Sequence, residues 1–536
     1  MEEHQEQKQE QNQGQEPYMK ARSIHIFAWP FVYGRTEEQK KSFLQEIEGS
    51  RWKEKSLHFQ DYTKEDQKRM AADCFMLEQY LSTSGRELFI GKPGEENDTC
   101  KIYTYELEQE SVYYIGHNAE KKVVKKEGTE QERIEIRYEY TEYRLVLDQI
   151  EMHLYHCGVG ILFFHTLNTD PDIGIEDIRW INELGRRVSL PFIPDEPNGY
   201  IMTAERLGII SGEQDMITSF RQRVQDYYGV QETATCENPE KNMPVDKDGS
   251  TRDIIQRMIE PAEFIAATLR GSLKPGECGE LQVEYPADDR MFVFCLIRDE
   301  ALSKKIKEKE KSRKDQEDLY AILYVDGGDA SCQSDRLLEQ YLDEAVYRRW
   351  EDLGTIHGIT DYSWICITDS EEKVQNSVVR PFWVEYKYMV SLAIAQKQGL
   401  ALFAKAAEQN IRGMDREGLI TREQANRLVS IQEEYVSFRN QMMILKLSCQ
   451  QQGVELYHML QRQLLIKEET EELDAQLSQM YEAVNVSNGT KLNKWGIRLA
   501  VGALAFEVFI NFFPNFCECI GTILVNAFLW FWEILK

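Results

Sequence analysis

The feature that most constrains this chain is a heptad-spaced polar stretch that leads straight into two apolar segments. Leu428, Ile431, Tyr435, Phe438, Met442, Leu445, Cys449, Leu456, Met459, Ile466, Leu473, Leu477 and Met480 fall on one alternating three-four spacing, interrupted by Gln452, Gln463 and Thr470. A 3.5-residue period held this long predicts a coiled-coil-like seam. At about 1.5 Å per residue, an unbroken helix over it measures roughly 80 Å. A rod of that length cannot be covered by one small domain, so its seam calls for partner helices.

The composition then changes abruptly. From Leu499 to Phe513 the strongly polar residues are Glu507 and Asn511, and from Cys519 to Leu535 the interruptions are Thr522, Asn526 and Glu533. A spanning helix needs about 20 mostly apolar residues, with about 17 as the low end. Both segments reach that with their flanks, and the Pro514–Glu518 turn predicts a helical hairpin through a bilayer, with 514–518 as its outer loop. Trp495, Trp530 and Trp532 sit where interfacial aromatics belong. The alternative is a hairpin buried in a globular domain. Lys491, Lys494 and Arg498 precede the first segment and Lys536 follows the second, while the loop carries no Lys or Arg. The positive-inside rule then puts the protein in the cell membrane as a multi-pass chain with both termini cytoplasmic.

The net charge of −28 argues against direct binding to nucleic acid. The eleven cysteines are scattered without a C-x-x-C pair, as reduced core thiols would be. Residues 1–20 are Glu/Gln-rich and read as a disordered tail without a secretory signal.

Residues 21–380 read as a mixed α/β or α+β cytosolic domain, with two subdomains divided by a polar linker near 230–250 as an open alternative. Ser23–Tyr33 is a strand that Pro30 assigns to a sheet edge or a strand end. Thr36 is the N-cap of a helix to Ile47, and Gln67–Tyr80 is another helix. Strand signals follow at 100–107, 112–117 and 134–140. Tyr143–Tyr155 alternates apolar and polar with one slip at Gln149, turns at His156–Gly160, and returns as the apolar strand Ile161–Leu167. Helices are expected over Ile175–Arg187, Arg252–Leu269 (broken at Pro261), Ser334–Trp350 and Phe382–Gln409. Strands are expected over Met291–Arg298, Leu319–Asp326 and, around Gly358, within Thr355–Thr368. Residues 381–494 form the helical stalk and 495–536 the two membrane helices.

Candidate chemistry is sparse. Glu507 inside an apolar segment is costly and points to a bundle interior, an aqueous path or a partner. Asn511, Ala503 and Ala500 share its face, as on a pore-lining helix; a protonated Glu at a helix interface is the alternative. His153, His156, Cys157 and His165 lie near one hairpin turn, but their spacing matches no standard zinc pattern. Asp170, Asp172, Glu176 and Asp177 could hold a divalent cation, although acids at a helix start are expected from its dipole. Arg186 and Arg187 could hold an anionic ligand, although dipole compensation at the helix C-terminus is the commoner reason for such a pair. No spacing pairs a nucleophile with a base, so an enzyme reading has little to stand on.

The order of elements resembles the CorA-like metal ion transporters: a cytosolic α/β domain, a long stalk running into a first span, a short outer loop and a second span. Phe382–Leu402, with Tyr386, Tyr388, Met389 and Ala395-Gln396, fits the helix that returns beside such a stalk. The resemblance implies a homopentamer in the bilayer whose first span lines the pore, with a divalent cation such as magnesium as cargo. The family's Gly-Met-Asn signature is missing, since the chain reads Asn511-Phe512-Phe513-Pro514-Asn515-Phe516. Magnesium selectivity is therefore not carried over. Divergent members lacking the signature serve as membrane effectors of type III CRISPR antiviral defence, opened by a nucleotide second messenger. The alternative function is a membrane-anchored scaffold or sensor with no pore.

Overall fold

The computed structural model describes residues 17–482 and 501–502, except for 65–66, 93–94, 96, 128–130, 213, 238–249, 274–282, 286–289, 310, 329–330, 372 and 413–421. Residues 1–16 of the expected disordered tail, most of the polar linker, 413–418 of the expected helix break and all but 501–502 of the two apolar segments lie outside these residues. The end of that tail is not disordered: Pro17–Lys20 is a short helix with Tyr18 and Met19 buried, and 230–237 of the linker belong to the helix Phe220–Glu237. Glu507, Asn511, Ala503 and Ala500 lie outside them too. Among the described residues no helix is long and apolar enough to cross a membrane.

The chain divides into two compact units, 1–401 with 437–469, and 402–436 with 470 onward. The first is a mixed α/β structure around a 12-stranded sheet. Its strands are β1 (Ser23–Val32), β2 (Trp52–Glu54), β3 (Cys100–Tyr105), β4 (Val112–Glu127), β5 (Gln131–Tyr155), β6 (Val159–Asn168), β7 (Arg206–Ser211), β8 (Gln214–Ser219), β9 (Phe292–Arg298), β10 (Val346–Trp350), β11 (Thr355–Ile359) and β12 (Ser363–Thr368). The spatial order is β10-β11-β12-β9-β1-β6-β5-β4-β7-β8, with β3 on β5 and β2 on β3. β9 and β12 are parallel, and the other pairs are antiparallel. One sheet thus contains strands from both sides of the polar linker.

β1 lies in the middle of the sheet, not at its edge. Its burial follows from two apolar faces, and Pro30 is tolerated because β9 pairs only as far as Ala28↔Phe292 while β6 pairs along the whole strand. Val32 N–H points to the β9 side, where it donates to Glu284 O. Alternate residues share that direction, so the proline ring falls in the gap where no ladder partner is needed.

The slip in alternation at Gln149 is a real irregularity: the β5–β6 register shifts between Leu147 and Gln149. An extra residue in one strand is a β-bulge, and it resets which side chains face each side. At the β5–β6 turn Gly158 has φ +90°, and a Cβ there would meet Gly34 O at 1.9 Å. Thr36 caps the helix Glu37–Ile47 in a complete capping box with Gln39.

Helices cover both faces of the sheet. One face, with Phe27, Trp29, Met152, Leu162, Phe164, Val293 and Ile365, packs against Ile178, Ile181 and Leu184 of Ile175–Gly185 and against Phe264, Ile322 and Leu342. The other face meets the segment 382–401: Phe294 stacks on Phe382 at 3.8 Å, Trp364 on Tyr386 at 5.4 Å, and His153 on Tyr388 at 5.6 Å between ring centroids. The segment begins with two π-helical turns, Gln375–Val379 and Phe382–Tyr386, and continues as the α-helix Lys387–Arg412.

Four further expectations need correction. Leu319–Asp326 is not a strand; it falls mostly in the helix Arg313–Leu323, started by Ser312 in a capping box with Asp315. Leu319 to Leu323 are all buried, so the five-residue apolar run carries no period that separates helix from strand. The helix expected over Ser334–Trp350 stops at Ala345, where the chain turns into β10, and the turn after β11 is at 360–362 instead of Gly358.

The fourth concerns the rod. It is three helices: Arg422–Met442, Gln451–Gln463 and 466–482. Residues 443–450 leave the helix because Leu447 O, Ser448 and Cys449 N bond to the backbone at 80–82, including an isolated antiparallel bridge Leu81↔Ser448. The second break is at Leu465, with φ +57°. The seam residues Leu428, Tyr435, Phe438, Met442, Leu456, Met459, Ile466, Leu473 and Leu477 are buried. Leu445 is 78 % exposed because it sits in the first break. In the second unit, Phe403 meets Tyr435 edge-on at 5.6 Å, and Tyr435 Oη donates to Asp474 Oδ1 at 2.8 Å.

Candidate functional site

The most unusual chemistry in the first unit lies under 382–401. Strand alternation puts Glu151, His153 and Tyr155 of β5 on one face, and pairing sets β6 beside them with Glu151 opposite Phe163. Glu151 is fully buried. Its Oε1 accepts from Lys55 Nζ at 2.6 Å and its Oε2 from Lys387 Nζ at 2.8 Å. His165 Nε2 lies 3.3 Å and His153 Nε2 3.7 Å from Oε2. His153 Nδ1 and Tyr155 Oη share Ser391 Oγ at 2.8 and 2.7 Å. Trp383 closes the cluster edge-on to His165 at 5.2 Å and stacks on Tyr18 at 4.6 Å.

The electrostatics follow from burial and pairing. Burial alone would raise the Glu151 carboxyl, but Lys387, Lys55 and the two imidazoles overcome it and hold it well below the ordinary range. Burial lowers both imidazoles, His165 to about 4 against the pull of Glu151. The two lysines respond in opposite directions: Glu151 outweighs burial at Lys55, while burial wins at Lys387. The difference matches exposure, 16 % for the Lys55 side chain against 5 % for Lys387. The cluster therefore holds one carboxylate between two ammonium groups and two neutral rings, and it works as a charge-pairing centre that fixes the helix on the sheet.

A second buried carboxylate lies two residues before Lys387. Glu385 is 1 % exposed. Ser448 Oγ is 2.5 Å from its Oε1. Burial pushes Glu385 up to about 7, with the Ser448 hydroxyl as the opposing influence. Further along, Gln396 donates to Met442 O at 2.6 Å and accepts from Gln461 at 3.1 Å and Tyr457 at 3.3 Å.

Of the residues singled out in the sequence, His153 and His165 are brought together around Glu151, whereas His156 is exposed in the turn and Cys157 only half-buried. Among the described residues no group of three or more His, Cys, Asp or Glu could hold a metal ion. Asp170 and Asp177 cap backbone amides of Asp172 and Gly174, each at 2.9 Å, and Asp177 also accepts from Tyr143 Oη at 3.0 Å. Asp172 and Glu176 are exposed. Arg186 and Arg187 are buried and share Glu183 at 2.6 and 2.7 Å, and Arg186 lies 4.7 Å over the Tyr362 ring. Both thus have an internal carboxylate in the place of an anionic ligand.

An open cleft of about 700 Å³ outside the carboxyl ends of β9 and β12 is lined by Lys20, Arg22, Arg298, Asp299, Glu300 and Lys304. Arg298 donates there to Met19 O at 2.6 Å and Ser370 O at 2.9 Å, and Asp299 caps the following helix through Leu302 N. Its most buried cation is thus committed to the fold.

Sequence reasoning missed Glu151, Lys55, Lys387 and Glu385. For Glu151 a signal existed: an acid two residues before His153, on the face that turns inward. Nothing local marks the two lysines, which reach Glu151 across 96 and 236 residues. The chain matches no protein-family model, no curated protein and no solved structure.

Proposed function

We propose that this chain is a subunit of an oligomeric membrane channel resembling the CorA-like transporters, in which the α/β unit controls ion passage through the C-terminal segments. The observation that carries this reading is Glu507 with Asn511, Ala503 and Ala500 on one face of an apolar segment. Further support comes from the helices 402–412, 422–436 and 470–482, which form their own compact unit.

The broken rod changes how the resemblance is applied. Gating by tilting one stiff helix does not suit a segment interrupted at 443–450 and 464–465. In this reading, movement starts where those breaks are anchored. The missing Gly-Met-Asn signature favours a ligand-opened effector over a magnesium transporter. Its trigger, a nucleotide in the divergent members, is not assigned to Arg186 and Arg187, which Glu183 already pairs.

Purified full-length protein in liposomes tests the proposal. Cation flux that Glu507→Ala or Asn511→Leu alters, from a pentameric particle in detergent, is the expected result. A monomer or dimer whose flux equals that of empty liposomes, unchanged by either substitution, overturns it in favour of an anchored sensor.

A further inference from the structure

We propose that Glu385 and Ser448 form a proton-operated latch: with Glu385 protonated, the connector 443–450 is closed onto residues 80–82, and loss of that proton releases it. The inference stands on the first unit alone and holds whether or not the C-terminal segments form a pore.

Proton counting carries it. Ser448 Oγ is 2.5 Å from Glu385 Oε1 and 3.3 Å from Tyr80 O, and it accepts from Gln450 N at 3.0 Å. A serine hydroxyl has one proton and cannot donate to both oxygens. If Glu385 is protonated, the chain closes: the carboxyl donates to Ser448 Oγ, and Ser448 donates to Tyr80 O. If Glu385 is ionised, Ser448 must turn its proton to the carboxylate, and Tyr80 O loses that donor. The proton leaves to solvent and no covalent bond changes.

Apart from the Ser448 hydroxyl, the described surroundings do not stabilise the ionised form. Glu151, equally buried, is held by two lysines, whereas among the described residues no lysine, arginine or histidine forms an ion pair with Glu385. The titratable group that interacts with it is the phenol of Tyr386 on its own segment, and the groups that act on Tyr386 in turn are uncharged at neutral pH: Tyr80 from Lys68–Tyr80, Tyr347 from β10 and Cys366 from β12. Burial shifts the Glu385 equilibrium to near neutrality, where a cell can use it. The connector's other ties to 80–82 are the backbone hydrogen bonds Cys449 N to Tyr80 O at 2.6 Å and Ser82 N to Leu447 O at 2.8 Å, and the weak donor Cys449 Sγ to Leu81 O at 3.5 Å. Gly453 leaves room for the hydroxyl, since a Cβ there would come within 2.6 Å of Ser448 Oγ.

The test is amide hydrogen exchange of the full-length protein in detergent, read at 443–450 and corrected for the intrinsic base-catalysed rate. With the closed-state carboxyl near 7 and the open-state value near 4.5, the opening constant rises roughly ten-fold between pH 6 and pH 8. Glu385→Gln, neutral at every pH, removes that rise. Ser448→Ala takes away the only donor to the carboxylate among the described residues and moves the midpoint of the rise to higher pH. Infrared difference spectra give an independent readout: a protonated carboxyl carbonyl band present at pH 6, lost at pH 8 and absent from Glu385→Gln. Equal corrected exchange at both pH values in the unsubstituted protein, or the same rise in Glu385→Gln, overturns the latch.

Discussion

Replacing Glu151 with glutamine keeps the shape of the side chain and removes its charge, which isolates what the carboxylate does. In the unsubstituted protein it accepts from two ammonium groups at 2.6 and 2.8 Å. Glutamine still offers one oxygen, but its amide end turns a donor toward one of the lysines. Removing one partner of a buried ion pair costs about 3–5 kcal/mol, because the remaining charge is left in a poor solvent. Lys387, 5 % exposed, bears the full effect, while Lys55 at 16 % is partly relieved by water. We therefore expect Glu151→Gln to lose about 3–5 kcal/mol at pH 7 in equilibrium denaturation followed by intrinsic fluorescence. The pH dependence fixes the cause. Lys387 is depressed in the fold, so the unfolded chain binds more protons over the range between its two values, and stability rises with pH there. The deficit of Glu151→Gln should shrink from pH 7 to pH 9. It should also close in acid, because the Glu151 carboxyl is held well below its ordinary value and its contribution is lost as pH falls through the carboxylate range. Adding Lys387→Met to Glu151→Gln should restore part of the loss, since the stranded charge is then absent. A deficit under about 1 kcal/mol, or one independent of pH, refutes the charge-pairing role.

Other substitutions probe the remaining structure. Glu183→Ala removes the carboxylate that Arg186 and Arg187 share and should cost about 3–5 kcal/mol by denaturation; a loss near zero would show that this carboxylate is not what balances the buried guanidinium charges. Thr36→Ala removes the capping oxygen and should cost about 1 kcal/mol, measured the same way. Gly158→Ala should destabilise by more than about 1 kcal/mol, because φ is +90° and the new Cβ meets Gly34 O. Leu465→Gly should be neutral or stabilising by up to about 1 kcal/mol, because it relieves a left-handed leucine that is 53 % exposed and buries little.

What could be read from the sequence was whatever local chemistry specifies. The Thr36 cap, the break at Pro261, the hairpin into Ile161–Leu167 and the slip at Gln149 are each written in a few neighbouring residues. The same local logic misplaced Pro30, because a strand's position in the sheet depends on where β9 ends, about 260 residues later. The heptad identified most of the inward-facing positions, but Leu445 and Cys449 are exposed in the first break and the continuity of the helix was not legible. Leu447 and Ser448 are drawn off the helix by backbone groups at 80–82, a contact invisible to any periodicity. Leu319–Leu323 failed because full burial erases both periods. Glu151 was half legible from its place beside His153, while Lys55 and Lys387 become chemistry only once the sheet and the 382–401 segment meet.

That segment explains why one proton can matter in so tightly built a layer. It carries four buried polar residues, Glu385, Lys387, Ser391 and Gln396, on an otherwise apolar surface. Each fixes its register against a different neighbour. Lys387 is held by a carboxylate, Ser391 by His153 and Tyr155, and Gln396 by Met442 O, Tyr457 and Gln461. These partners offer complementary donors and acceptors at neutral pH, so sliding the helix would break all of them together. Glu385 is different, since its neighbour is a neutral hydroxyl and its own proton decides which way that hydroxyl points. A change near neutral pH therefore acts on the connector and leaves the helix in place. This predicts that exchange protection at 387–396 stays constant between pH 6 and pH 8 while protection at 443–450 falls. Parallel loss in both segments would mean that the layer opens as a whole, and the latch would then have no separate existence.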